Sequence, residues 1–472
     1  MRPFTKTSKA AALVLLSSFV FALPTMAEQA KNQSSFQLPA YEQLKLDNGL
    51  TVFLLPQHEV PLITVQATVR AGAVNDKVAG LSQLTSQALL LGAGGKTKAE
   101  IEQQVDFLGA SLTSEGSMEG SSLRVDFMAK DTEQMLAVLH SVLTQPSFEI
   151  AEFDKLKARQ IAAVAQAKES PRMVMEQYFN KLVFGSHPYG NAISGTAESL
   201  KSISQQQVKD FHQSFYQPGN TAISIVGDFK PTKMKALLQK LFANWNNGEA
   251  IKQPDLTAAL PKATKAKVLL VNKADAIETT FSIGGVGIKQ DNPDYVGISV
   301  INTVLGGRFT SWLNDELRVN SGLTYGARSG FERYSASGTF TISSFTKMDS
   351  TKAAVDLALK TYQRLWDKGI DQATLDSAKA YVKGQFPPRF ETNTALAGLL
   401  GDMYLYGFDQ GFINSFQSKV DQLTVAESKR LIHSYFPKDK LQFVLIGKAE
   451  AIKDIAKSYG EVTQLDITAD SF

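Results

Sequence analysis

Two periodicities alternate along the chain, and the whole alternation occurs twice. Apolar residues at every second position, or in short runs rich in Val, Ile and Thr, mark strands, and apolar residues three and four apart mark helices. In the first half a strand-like run at Ile63–Ala73 closes on the polar turn Asn75-Asp76 and leads into a helix. In the second half Thr280–Lys289 closes on Asp291-Asn292-Pro293 and does the same. An alternating strand then precedes a helix at Ser121–Ala129 and Thr132–Leu143, and again at Ser337–Ser344 and Thr351–Trp366. Helices opening on a polar or acidic residue follow at Phe148–Ala163 and Asp371–Gly384.

The ends of the halves match best. The segment Val208–Tyr216 leads into a strand at Thr221–Val226, then Gly227-Asp228 and a helix from Lys233. Its counterpart Ser428–Phe436 leads into Leu441–Ile446, then Gly447 and a helix to Tyr459. A period of about 220 residues is far longer than any solenoid repeat, so the pattern predicts a duplicated domain. Residues 246–266 are polar, hold two prolines and lack periodicity; they read as a linker. The predicted organisation is a first domain at 28–245, this linker, and a second domain at 267–472. Strands mixed with long helices and hairpin-length turns predict an α+β fold. Each domain is expected to be a largely antiparallel sheet with helices packed on one face.

The first residues change the picture of where the chain works. Arg2, Lys6 and Lys9 precede an apolar run from Ala10 to Leu23, and Thr25-Met26-Ala27 offers small residues before Glu28. This pattern predicts a secretory signal at 1–27, and the run is too short for a membrane anchor. Export into the periplasm is the expectation. The formal charge of +3 resides in that segment, and the remainder carries as many basic as acidic residues. A neutral chain gives no reason to expect nucleic acid or an acidic membrane as partner. The chain holds no Cys, which excludes disulfides, thiolate metal sites and a cysteine nucleophile.

Several short motifs fail on inspection. Gly92-Ala-Gly-Gly-Lys-Thr97 resembles the end of a phosphate loop, but Leu90 stands where a glycine is required and the segment follows a helix; it reads as a helix stop. Gly322-Leu-Thr-Tyr-Gly326 has nucleophile-elbow spacing with Thr324 in place of serine. The histidines His58, His140, His187, His212 and His433 are too dispersed for any helix to present two of them to one metal.

Other segments form a recognisable set. They are Leu46-Asp-Asn-Gly-Leu-Thr-Val, Ala79-Gly-Leu, Phe184-Gly-Ser-His-Pro-Tyr-Gly, Leu305-Gly-Gly-Arg-Phe and Glu316–Tyr325. With them the chain resembles the insulinase/pitrilysin family of zinc peptidases in its short two-domain form, over nearly its whole length. The resemblance implies one half of a clamshell formed by two chains. Active members carry His-x-x-Glu-His on the helix after Ala-Gly-Leu, two histidines for zinc and a glutamate for the attacking water. Here the stretch is Gln83-Leu-Thr-Ser86-Gln87, with glutamine at both ligand positions and serine at the base. The family's third ligand, a glutamate, falls at Ala165 to Ala167, with no acid before Glu169. The chain is therefore expected to bind no metal and no other cofactor.

The resemblance also implies roles for Arg318 and Tyr325, which have the spacing of an arginine and tyrosine that hold the substrate backbone opposite the zinc. A guanidinium and a phenol are suitable donors for an oxyanion. Arg318 is expected to close a helix at Phe309–Val319 and Tyr325 to begin the next strand. Read without the resemblance, Arg318 could pair with Asp315 or Glu316, and Tyr325 could be an edge-strand aromatic. The implied function is the non-catalytic subunit of an exported heterodimeric metallopeptidase that cleaves extended, unfolded peptides. Its partner would be a homologous chain bearing zinc and His-x-x-Glu-His. The alternative is a peptide-binding or scaffold protein of the same fold.

Overall fold

The computed structural model describes residues 36–470 except Ala259, so the expected signal at 1–27 lies outside the described residues. Each half is built on a six-stranded sheet. The first has the order Glu42–Lys45, Thr51–Pro56, Thr221–Gly227, Leu62–Val69, Ser121–Met128, Ser111–Gly116. The second, from its opposite edge, has the order Glu461–Asp466, Lys267–Asn272, Gln442–Gly447, Glu278–Val286, Gly338–Lys347, Ala327–Arg333. Five positions correspond strand for strand. The sixth is filled differently: Glu42–Lys45 precedes its sheet and pairs antiparallel, whereas Glu461–Asp466 comes last in its sheet and pairs parallel. Antiparallel pairing predominates in both sheets, so the α+β fold with two homologous halves agrees with the sequence pattern.

The duplication extends to the caps. Ser204 accepts from the Gln207 amide to start the helix Gln205–Phe215, and Thr424 accepts from the Glu427 amide to start Val425–Tyr435. Such a cap satisfies one of the donors that a helix N-terminus leaves free. Each of these helices delivers the chain to the central strand of its sheet, Thr221–Gly227 or Gln442–Gly447, and every residue of both strands is buried.

Burial on both faces needs two covering layers, and the second layer is an exchange. Helix Asn393–Tyr406 of the second half packs on Leu62–Val69 and Thr221–Gly227 of the first. Helix Pro171–Phe184 of the first half packs on Glu278–Val286 and Gln442–Gly447 of the second. Leu396 and Leu400 share a core with Phe53, Ala222 and Val226, while Val174 and Phe179 share one with Val444 and Ile446. The expectation of helices on one face describes each half's own helices, and the opposite face takes a helix from the other half. A buried bridge reinforces the exchange: the Glu119 carboxylate accepts from the Tyr189 hydroxyl at 2.8 Å and from the Ser335 amide at 2.9 Å.

Two local expectations are corrected. Gly92–Ala93 and Lys96–Thr97 pair as a small hairpin rather than serving only as a helix stop, because Gly94 (φ 58) and Gly95 (φ 80) supply the left-handed turn. The regular helix expected at Phe309–Val319 is a short α-turn, Trp312–Asn314, followed by wider π-type turns at Asp315–Asn320.

Candidate functional site

The erased metal motif lies on the helix Leu81–Ala88. Asp76 fixes its start, accepting from the Gly80 amide at 3.0 Å and the Ser82 amide at 2.8 Å. Burial pushes the Asp76 carboxyl up to about 7, against the lowering effect of those hydrogen bonds. The Gln83 amide oxygen accepts from the backbone N–H of Gly116 at 2.6 Å, so it is held on the free edge of the first sheet. Ser86 is fully buried, with its hydroxyl 2.8 Å from that of Ser114. The Gln87 side-chain oxygen is buried without a hydrogen-bond partner among the described residues. Behind the helix, burial pushes the Tyr216 phenol up to about 12, partly offset by the Ser121 and Ser86 hydroxyls.

The third-ligand stretch, Ala165 to Ala167, ends the helix Ile150–Ala167 with methyl groups and an amide. Next to it the Lys168 ammonium binds the carbonyls of Thr468 and Ala469 at 3.0 and 3.2 Å and the Asp470 carboxylate at 2.7 Å. A cavity of about 440 Å³ is bordered by Gln83, Ala163, Ala167 and Lys168. Zinc needs several imidazole, thiolate or carboxylate donors, and this cavity offers neutral amides, the ammonium groups of Lys168 and Lys181, and one carboxylate, Asp470, already paired with Lys168. The residues present do not fit the metal. Among the described residues no group of three or more His, Asp or Glu is disposed to hold one.

The five histidines have local engagements. His58 meets the Asp228 carboxylate at 2.7 Å, while His187, His212 and His433 each contact a backbone carbonyl. His140 packs on Phe242, and burial depresses its pKa.

The second half presents a different surface. Thr324 is buried, and its hydroxyl accepts from Ser344 at 3.1 Å, which turns the adjacent Tyr325 outward. Tyr325 stands just before the strand Ala327–Arg333 rather than within it, and it is 87% exposed. Leu317 is buried in the core while Arg318 stands clear of it, its guanidinium 4.5 Å above the Phe309 ring. Arg318 forms no ion pair with any described residue, so the alternative pairing with Asp315 or Glu316 is not made.

Phe309 and Tyr325 border a cavity of about 600 Å³ between the helix Pro171–Phe184 and the second sheet. Tyr325 and Phe309 line this cavity, whereas Arg318 stands over Phe309 and is not itself among the lining residues. Gln83, Ser86 and Gln87 are not among the residues lining it. Sequence reasoning missed Arg172, which reaches this cavity from the first half and lies 3.6 Å over Phe345. Phe345 in turn stacks with Tyr325 at 6.5 Å. Only the helix exchange brings Arg172 there, and no local motif marks it.

A duplicated α+β domain and a motif helix without metal ligands define a non-catalytic member of a peptidase family. The profile described as "Insulinase (Peptidase family M16)" matches residues 52–197, and "Peptidase M16 inactive domain" matches residues 202–382. The chain belongs to the M16, or insulinase, family, a family of hydrolases, and without zinc ligands it is inactive alone.

It is 24% identical over 402 residues to the "Non-peptidase homolog YmxG" of Helicobacter pylori, covering 84% of this chain and 91% of that one. It is 23% identical over 407 residues to the "Zinc protease PqqE" of the same organism, again covering 84% and 91%. The crystal structure of a peptidase M16 inactive domain from Pseudomonas fluorescens superposes with a TM-score of 0.80 at 26% identity, covering 86% of this chain and 98% of that one.

Proposed function

We propose that this chain is the substrate-contacting, non-catalytic subunit of an exported two-chain zinc peptidase acting on extended peptides. One contrast carries the reading: Gln83 and Ser86 of the erased motif are engaged by internal hydrogen bonds, while Tyr325 is 87% exposed at an open cavity. An exposed aromatic whose hydroxyl meets no described residue is a donor kept for something outside the chain. Arg318, over Phe309 at the edge of the same cavity's lining, would be a second such donor.

The partner would be a homologous exported chain with His-x-x-Glu-His, whose zinc would supply the water-activating chemistry. This chain would bind the peptide, exclude water and direct two donors at the oxygen that gains charge. The edge strand Ala327–Arg333 offers backbone groups to an extended peptide. That one organism has both a non-peptidase homologue and a zinc protease similar to this chain supports a pairing of unlike subunits.

The test is reconstitution. The isolated chain should hold no stoichiometric zinc and cleave no peptide, and adding the zinc-bearing homologue should produce hydrolysis exceeding that of the homologue alone. A homologue equally active without this chain would contradict the proposal. The second reading, a non-enzymatic peptide-binding or scaffold protein, is favoured by the similarity to a protein named a non-peptidase homologue. It predicts assembly without any gain in hydrolysis.

A further inference from the structure

The cavity beside Tyr325 has a floor of known chemistry. Strand register places Arg328 beside Ser343, Ser343 beside Ser282, and Thr280 beside Phe345, with all of these residues lining the cavity. Arg172, over Phe345, and Arg328, paired with Ser343 two residues from Phe345, therefore both line the Tyr325 end, one from each half. Glu176 and Glu332 also line the cavity. In the strand, Glu332 lies roughly 13 Å from Arg328 at about 3.3 Å per residue. The cavity is thus polarised along its length, basic near Tyr325 and acidic further along.

The basic end is under-partnered. Arg328 is exposed and makes no hydrogen bond or ion pair with any described residue. Arg172 is 56% exposed and meets one carboxylate, Glu278, at 3.4 Å. Its guanidinium carbon lies 3.6 Å over the Phe345 ring, and that one ion pair leaves most of its five N–H donors free. On the neighbouring strand, beside Phe345, the hydroxyl of Thr280, a residue 5% exposed, has no hydrogen-bond partner among the described residues. A buried unpaired hydroxyl is costly, and a ligand oxygen arriving there would satisfy it.

We infer that Arg172, Arg328 and Thr280 form an anchor for a carboxylate of the bound peptide. This rests on the reading of the cavity as a peptide chamber and names what part of the peptide it holds. Two guanidinium forks and a hydroxyl match the lone pairs of a carboxylate, which can come from the peptide C-terminus or from an acidic side chain. Holding that group beside Tyr325 would fix how far an extended peptide threads past the Arg318/Tyr325 pair.

The experiment is fluorescence anisotropy on the isolated full chain with one short labelled peptide in three forms: free acid, C-terminal amide, and amide ending in glutamate. The account expects the free acid to bind roughly ten-fold or more tightly than the neutral amide, the scale of one charge-assisted hydrogen bond. If the glutamate amide matches the free acid, any carboxylate serves; if it matches the neutral amide, the site takes the chain terminus. Arg328→Gln and Arg172→Gln should each remove most of the difference, and Glu332→Gln should leave it. Equal binding of all three forms would overturn the anchor while leaving the chamber intact. Binding of none would overturn both. Unchanged thermal melts of the variants guard against misfolding, since both arginines are exposed.

Discussion

The Gln83 side-chain oxygen lies 2.6 Å from the backbone N–H of Gly116, so the first residue of the erased motif is tied to the edge of its own sheet. A Cβ at Gly116 would fall 2.8 Å from that oxygen and 2.9 Å from the Gln83 Cα. Helix and edge strand therefore meet at closest approach where a ligand would need room. Restoring the motif by Gln83→His, Ser86→Glu and Gln87→His together should not restore stoichiometric zinc, because the third-ligand stretch Ala165 to Ala167 still lacks a carboxylate. Metal analysis of the purified triple variant checks this, and one tightly held zinc per chain would contradict it.

Ser86→Glu alone should destabilise the fold by about 2–4 kcal/mol, since it buries a carboxyl where a small hydroxyl pair with Ser114 now sits. Chemical denaturation measures the loss. The introduced carboxyl would have a raised folded pKa, so the penalty should shrink as pH falls and the group becomes neutral.

Asp76 should give stability a pH dependence of the same sign. Its folded pKa of about 7 stands above the ordinary carboxyl value of 3.8, so between those values the native state binds more protons than the unfolded one. Its contribution is complete below about pH 4 and is lost as pH rises through about 7, with a slope of at most about 1.4 kcal/mol per pH unit. Asp76→Asn should flatten that part of the profile in denaturation series across the range.

Glu119 should matter to the union of the halves. It is buried, accepts from Tyr189 and Ser335, and has its pKa raised by burial. Glu119→Ala would leave these donors unsatisfied and should cost about 2–4 kcal/mol. Thermal melts and faster proteolytic cleavage between the halves would both report it.

Much of this arrangement was legible in the residues because it is local or periodic. The two halves declare themselves through the repeat that places Ser204 and Thr424 as matching caps, and Gln83, Ser86 and Gln87 are read directly from a helix with fixed spacing. The helix exchange was not legible. Asn393–Tyr406 is apolar over much of its surface and indicates burial without naming a sheet, and nothing in Pro171–Phe184 points to the other half. Arg172 was missed for that reason, since only the exchange carries it to Phe345. The π-type turns at Arg318 were missed because periodicity alone does not distinguish them from a regular helix.

The central claim is that this chain contributes donors to a reaction whose metal lies on another polypeptide. Its most direct test is the turnover of the reconstituted two-chain assembly with Arg318→Ala or Tyr325→Phe in this chain. Tyr325 is 87% exposed, so its substitution should change stability by less than about 0.5 kcal/mol and leave the assembled mass unaltered. The account predicts a fall in kcat of roughly 100-fold for each variant, the scale of losing one oxyanion donor. Turnover unchanged in both variants, with assembly intact, would contradict it.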